Sequence, residues 1–153
     1  MKKYISVFII GTLILFLPLS AWGANLAVVA NIERPDVLEL GPSMLSFEDV
    51  HPGIPTEPKA FNTICYGNNQ YMLTISGTNL SGPATLSASV VQYREAGMSN
   101  WFVNSTAPQN LLTSPAMATP EGDVKEFEIR LVVPPSALNG TYVGQIIITM
   151  VPQ

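Results

Sequence analysis

The sequence predicts an all-β protein, an antiparallel β-sandwich of about seven to nine strands in two sheets. Three observations carry that prediction. Apolar residues recur at every second position, most clearly over residues 124–151, which is the period of a strand with one face in a core and one in water. No segment keeps a helical apolar period over three turns. Prolines and glycines punctuate the whole chain, setting turn signals roughly every 8–12 residues, the spacing of sandwich strands.

The chain opens with residues 1–23, which read as a secretory signal peptide. Lys2 and Lys3 precede an apolar run over residues 5–17, and Pro18 and Ser20 lead to Ala21 and Gly23 at −3 and −1 of a cleavage site. That run is short for the roughly 20 residues of a bilayer span, and Pro18 interrupts it. No integral membrane span is therefore expected after cleavage. The protein is expected to be exported, to the periplasm or to the extracellular space or cell surface. Cleavage removes two of the seven basic residues and none of the eleven acidic ones, taking the formal charge from −4 to −6. Nucleic acid is thereby excluded as a partner, since a phosphate backbone needs a basic patch. Cys65 is the single cysteine, so no intrachain disulfide can form and stability must come from an apolar core. Its neighbours Ile64 and Tyr66 place it as a buried small hydrophobe, with an intermolecular disulfide as the rival reading.

In order, residues 24–36 form an extended arm or first strand, with Leu26, Val28, Val29 and Ile32 as its apolar residues. The sandwich itself spans residues 37–153. Val37, Leu38 and Leu40 make a short strand before Gly41-Pro42. Leu45 and Phe47 then alternate with Ser46 and Glu48, a second short strand that ends before the turn-rich His51-Pro52-Gly53. Residues 59–66 and 71–77 flank Gly67-Asn68-Asn69, a strong turn signal, and are expected to form a hairpin. Residues 85–93 make another strand. Residues 94–122 are the least regular part, with short strands at 101–103 and 111–112. The end of the chain reads as two strands and a turn. Phe127, Ile129, Leu131 and Val133 alternate with Glu126, Glu128 and Arg130; Pro134-Pro135 stops the run, because proline has no N–H for a ladder. Tyr142, Ile146, Ile148 and Met150 form the second apolar face, against Thr141, Gln145 and Thr149, with Val143 and Ile147 interrupting the polar one. The connection around residues 134–140 is too short for a helical crossover, so these two strands are expected to run antiparallel.

The residues 45–53, Leu-Ser-Phe-Glu-Asp-Val-His-Pro-Gly, resemble the L-x-F-G-x-V-x-P-G opening of many bacterial and archaeal immunoglobulin-like surface modules. Residues 71–77, Tyr-Met-Leu-Thr-Ile-Ser-Gly, are similar to their Y-x-L-x-V-x-G strand, and residues 135–149 to their P…G-T-Y-x-G-x-I-x-I ending. The layout is similar to WxL-type domains and to the sandwich subunits of spore-coat and pilus-like proteins. Glu48 stands where those modules carry glycine, and Trp101 is followed by Phe102-Val103, so the Trp-x-Leu motifs and their peptidoglycan binding do not carry over. The resemblance implies an immunoglobulin-like sandwich with a structural or adhesive role and no catalytic residues.

The residues themselves point the same way. A blue-copper site needs two histidines and a structural zinc site four Cys or His ligands; His51 and Cys65 are one of each. No metal or other cofactor is expected, and no catalytic residue is assigned. Glu126 and Glu128 lie on the polar face of a strand. The Asn-x-Ser/Thr patterns at Asn79, Asn104 and Asn139 are ones this Asn-, Ser- and Thr-rich chain supplies by chance. Two functions compete. The first is a structural subunit of a surface fibre, coat or matrix that self-associates by β-strand addition through Leu26, Val28, Val29 and Ile32. The second is a surface or periplasmic binding module for a glycan or another surface protein, its ligand stacking on Tyr93, Trp101 and Phe102.

Overall fold

A computed structural model describes residues 36–153. The expected signal peptide, residues 1–23, and the expected arm residues Leu26, Val28, Val29 and Ile32 lie outside the described residues.

Eleven strands follow in order. They are β1 (Val37–Gly41), β2 (Lys59–Tyr66), β3 (Gln70–Gly77), β4 (Leu80–Ser81), β5 (Thr85–Leu86), β6 (Val91–Glu95), β7 (Phe102–Val103), β8 (Gln109–Asn110), β9 (Ala116–Met117), β10 (Asp123–Leu131) and β11 (Ile146–Pro152). A single 3₁₀ turn, Ala88–Val90, splits the strand expected over residues 85–93; the Ser87 side chain accepts from the Ser89 N–H and caps it. The count exceeds the expected seven to nine because five of the strands are two residues long, most of them in the irregular middle.

All strand pairs are antiparallel. The larger sheet has the order β1-β2-β10-β6-β7, and the second the order β11-β3-β8, with β9 also on β3. The two sheets share one core, as in a β-sandwich. Phe61, Cys65, Phe127, Ile129 and Tyr93 enter it from the larger sheet, and Tyr71, Leu73 and Ile75 from the other. Phe61 and Phe127 are direct cross-strand partners whose rings stack 5.2 Å apart.

Two expected pairings are corrected. Residues 59–66 and 70–77 form no hairpin: β2 and β3 lie in different sheets. The Gly67 turn carries the chain from one layer to the other, so that Cys65 and Tyr71 meet inside the core from opposite sides. A side chain at Gly67 would collide with the Asp36 carboxylate. The two terminal strands do not pair either. β10 lies between β2 and β6, whereas β11 pairs with β3. Residues 132–145 therefore cross between the sheets, fastened at one end by the Gly53 N–H to the Val133 carbonyl (2.7 Å) and at the other by mutual bonds between Ser81 and Val143. The face interrupted by Val143 and Ile147 is left in water, both residues being at least half exposed. Residues 44–50 lie in no ladder, although Leu45 and Phe47 do turn inward. In the middle, β8 forms at Gln109–Asn110, just before the expected site, while Leu111 and Leu112 sink into the core.

Candidate functional site

The core is closed unevenly. On β3 the inward residues Tyr71, Leu73 and Ile75 are fully buried. On its neighbour β11 the inward residues Ile146, Ile148 and Met150 are only half buried. The cause is position: β11 is an edge, and among the described residues nothing pairs with its outer side. The register shows what that side offers. The Thr78 N–H donates to the Gln145 carbonyl and the Gln153 N–H to the Gln70 carbonyl, both 2.9 Å. In an antiparallel ladder the hydrogen-bonded pairs alternate with the non-bonded ones. Ile147, Thr149 and Val151 therefore bond to β3, and Ile146, Ile148 and Met150 direct their main-chain N–H and C=O groups outward. Pro152 falls where an N–H would also point outward, the place an edge strand tolerates proline.

Across from this edge runs the segment 43–50. Pro42 ends the β1 ladder because it has no N–H. Leu45, Phe47 and Val50 then pack against the core, and the Lys59 ammonium stands 5.5 Å over the Phe47 ring. No main-chain hydrogen bond ties residues 43–50 to another described segment. Between this segment and residues 137–148, the end of the crossing segment and the start of β11, opens a cleft of about 870 Å³ whose floor is apolar, with Phe61, Leu131, Ile146 and Ile148 among its lining. Asp49 is the one charged residue along it. Among the described residues the cleft thus combines main chain without ladder partners on two sides with an apolar lining.

The stacking residues expected to hold a sugar do not form one surface. Tyr93 is 3% exposed; burial pushes its hydroxyl pKa up, and its O–H donates to the Gln109 side chain at 3.3 Å. Phe102 is its register partner and stacks on it at 5.8 Å, so both belong to the inner side of the larger sheet. Trp101 lies on the outer side, over Arg94 and Arg130, whose guanidinium carbons stand 4.4 and 4.2 Å from the ring centroid. Arg94 is itself paired with Glu128 at 2.5 Å, and the Arg130 Nε–H donates to the Gln92 side chain at 2.8 Å. This correction follows from the two-residue period: neighbours in a strand point to opposite faces. Phe102, 48% exposed, is the aromatic ring of the three most open to solvent. Of the arginine pair under Trp101, Arg130 was legible as a polar position of its strand, whereas Arg94 opens the least regular stretch of the sequence.

The third cluster is internal. Tyr71, fully buried, donates its O–H to Asp123 Oδ2 at 2.6 Å, and the Lys125 ammonium stands 3.3 Å from the same oxygen. Burial, and then the bond to Asp123, push the Tyr71 hydroxyl well above the usual phenol range. Cys65 is wholly buried, and burial raises its thiol pKa too, which disfavours the thiolate. His51 is exposed in the turn fastened to Val133, at the opposite end of β10 from the Asp123–Cys65 pair. The imidazole and the thiol are not brought together. Among the described residues no three His, Cys, Asp or Glu side chains gather to hold a metal. Asn104, 1% exposed with its side-chain amide unpartnered, is closed to a glycosylating enzyme in the folded state. Comparison with known protein families, curated proteins and solved structures finds no match to this chain.

Proposed function

We propose that this chain is an exported, non-enzymatic structural subunit of a surface fibre, coat or matrix, and that copies of it assemble by β-strand addition through the arm at residues 24–36. The observation that carries this reading is the edge strand β11, whose inward residues Ile146, Ile148 and Met150 remain half exposed while its outer main chain is unpaired among the described residues. An exposed apolar edge is a template for another strand, and folds that keep one commonly use it. Strand order supports the same reading. Taken as an immunoglobulin-like sandwich, β1-β2-β10-β6 follows the A-B-E-D order and β11-β3 the F-C order, and the position beside β11, that of strand G, is unpaired among the described residues. The test is assembly of the purified mature chain, residues 24–153, beside a form lacking residues 24–31, by light scattering and electron microscopy. The full chain should form polymers and the truncated one should stay a folded monomer; equal behaviour of the two would remove the proposal.

A second reading, a surface module that binds a glycan or protein, is favoured by Met98, Phe102 and Val103, each 45–48% exposed around β7. Once the signal is cut, Trp101 is the single tryptophan. Its emission should respond to a ligand docking at Phe102 and stay constant if none docks.

A further inference from the structure

Resting on the assembly reading, we infer which edge receives the added strand and what fills it: the cleft between residues 43–50 and β11 accepts residues 26–32 of a second copy. Among the described residues the two larger sheets have four open edges, those of β1, β7, β8–β9 and β11. The β11 edge differs from the rest in kind. Its Ile146 end borders an apolar space of about 870 Å³, and on both sides of that space main chain is unpaired among the described residues. A strand laid there does more than extend a sheet. It hydrogen-bonds to Ile146 and Ile148, which line the space, and farther along the same edge to Met150, and places alternate side chains onto Leu45, Phe47, Phe61 and Leu131.

The occupant lies in the part of the chain that precedes the described residues. Residues 26–32 read Leu-Ala-Val-Val-Ala-Asn-Ile, seven residues, the length of β11. They carry no charge, which suits a cleft with Asp49 as its single charged residue. Leu26, Val28, Ala30 and Ile32 share one face at a period of two. Glu33, Arg34 and Pro35 follow at once and close the segment. A second copy fits better than the chain's own arm. The described chain begins at Asp36, which takes a hydrogen bond from the Asn69 side chain near the turn at residues 66–70. The cleft lies at the other end of β1, beside Leu40 and Pro42, where Ile146 rather than Pro152 lines it.

The experiment uses the mature chain, the form lacking residues 24–31, and a synthetic peptide of residues 24–33. Added to the truncated protein, the peptide should raise the melting temperature by several degrees and slow hydrogen exchange at the Ile146, Ile148 and Met150 amides about tenfold or more. Ile148→Asp and, on the facing wall, Leu45→Asp should each weaken peptide binding; exchange mapping on the unsubstituted protein decides the matter even if a variant fails to fold. Protection at β1 or β7 instead would overturn the cleft assignment and leave the assembly reading standing. Assembly of the truncated form equal to that of the mature chain would overturn the assembly reading itself. A mature chain that stays monomeric with the three amides already protected would show its own arm in the cleft, and would overturn the second copy as occupant.

Discussion

Replacing Tyr71 by phenylalanine removes one oxygen from the centre of the core and leaves the ring. The ring is fully buried among Leu73, Ile75 and Phe127, so the apolar packing is kept. What is lost is a 2.6 Å hydrogen bond to the Asp123 carboxylate. Bonds to a charged acceptor contribute about 1.5–3 kcal/mol each. Asp123 is still 22% exposed and keeps Lys125 at 3.3 Å, so water and the ammonium make good part of the loss and place the expected cost near the lower limit, about 1.5–2 kcal/mol. In a domain of this size that lowers Tm by roughly 5–9 °C. The assay is urea unfolding of the form lacking residues 24–31, which keeps assembly out of the equilibrium, with Asp123→Asn and the double variant completing the cycle. The two single changes should be strongly non-additive, because each removes the same bond. If Tyr71→Phe costs under about 0.5 kcal/mol, or the two changes simply add, the bond contributes nothing and the argument fails.

Two further outcomes follow from burial. On β10, Phe127→Ala should cost about 3–5 kcal/mol, since it empties a fully buried site against Phe61; Val124→Ala, on the same strand but 51% exposed, should change stability by no more than about 0.5 kcal/mol, and urea midpoints compare them. Stability should be level through neutral pH and fall above about pH 9, as the unfolded chain begins to ionise its thiol and then its phenols. The sign follows from the raised pKa values of Cys65, Tyr71 and Tyr93: the native state holds protons that the unfolded state releases, so each rise in pH favours unfolding, by up to about 1.36 kcal/mol per pH unit for each group. A stability that stays level to pH 11 would contradict it.

The β content and the inward faces of the long strands were legible because they are local. Phe127 and Ile129, Tyr71, Leu73 and Ile75, and Cys65 all lie inside, where their two-residue period or apolar neighbours placed them. Strand partnership was not legible, because it is set by distant chain. Adjacent strands joined by a short turn read as a hairpin, yet β2 and β3 face each other across the core, which the same alternation satisfies equally well. The irregular middle hid its ladders for another reason: two-residue strands such as β8 and β9 leave no period to detect. Trp101 and Phe102 read as one aromatic pair, and only their opposite directions from the edge of the sheet separate a ring clamped on arginines from one open to water.

The alternation in residues 26–32 looks imperfect in isolation, since Val29 stands among the outward positions. Set against the cleft, the imperfection loses its force. A strand that enters with Leu26, Val28, Ala30 and Ile32 inward leaves Asn25, Ala27, Val29 and Asn31 outward. A slip of one residue exchanges the two sets. It would push Asn25 and Asn31 into an apolar space lined by Phe61, Leu131 and Ile148, where their amides find no partner. The outward valine costs little, because β11 already shows a half-exposed Ile147 at the equivalent outward position. In the proposed assembly, two asparagines on one face would therefore fix the register more firmly than a perfectly apolar strand would, and the uncharged, strand-length segment would fit the cleft in a single way.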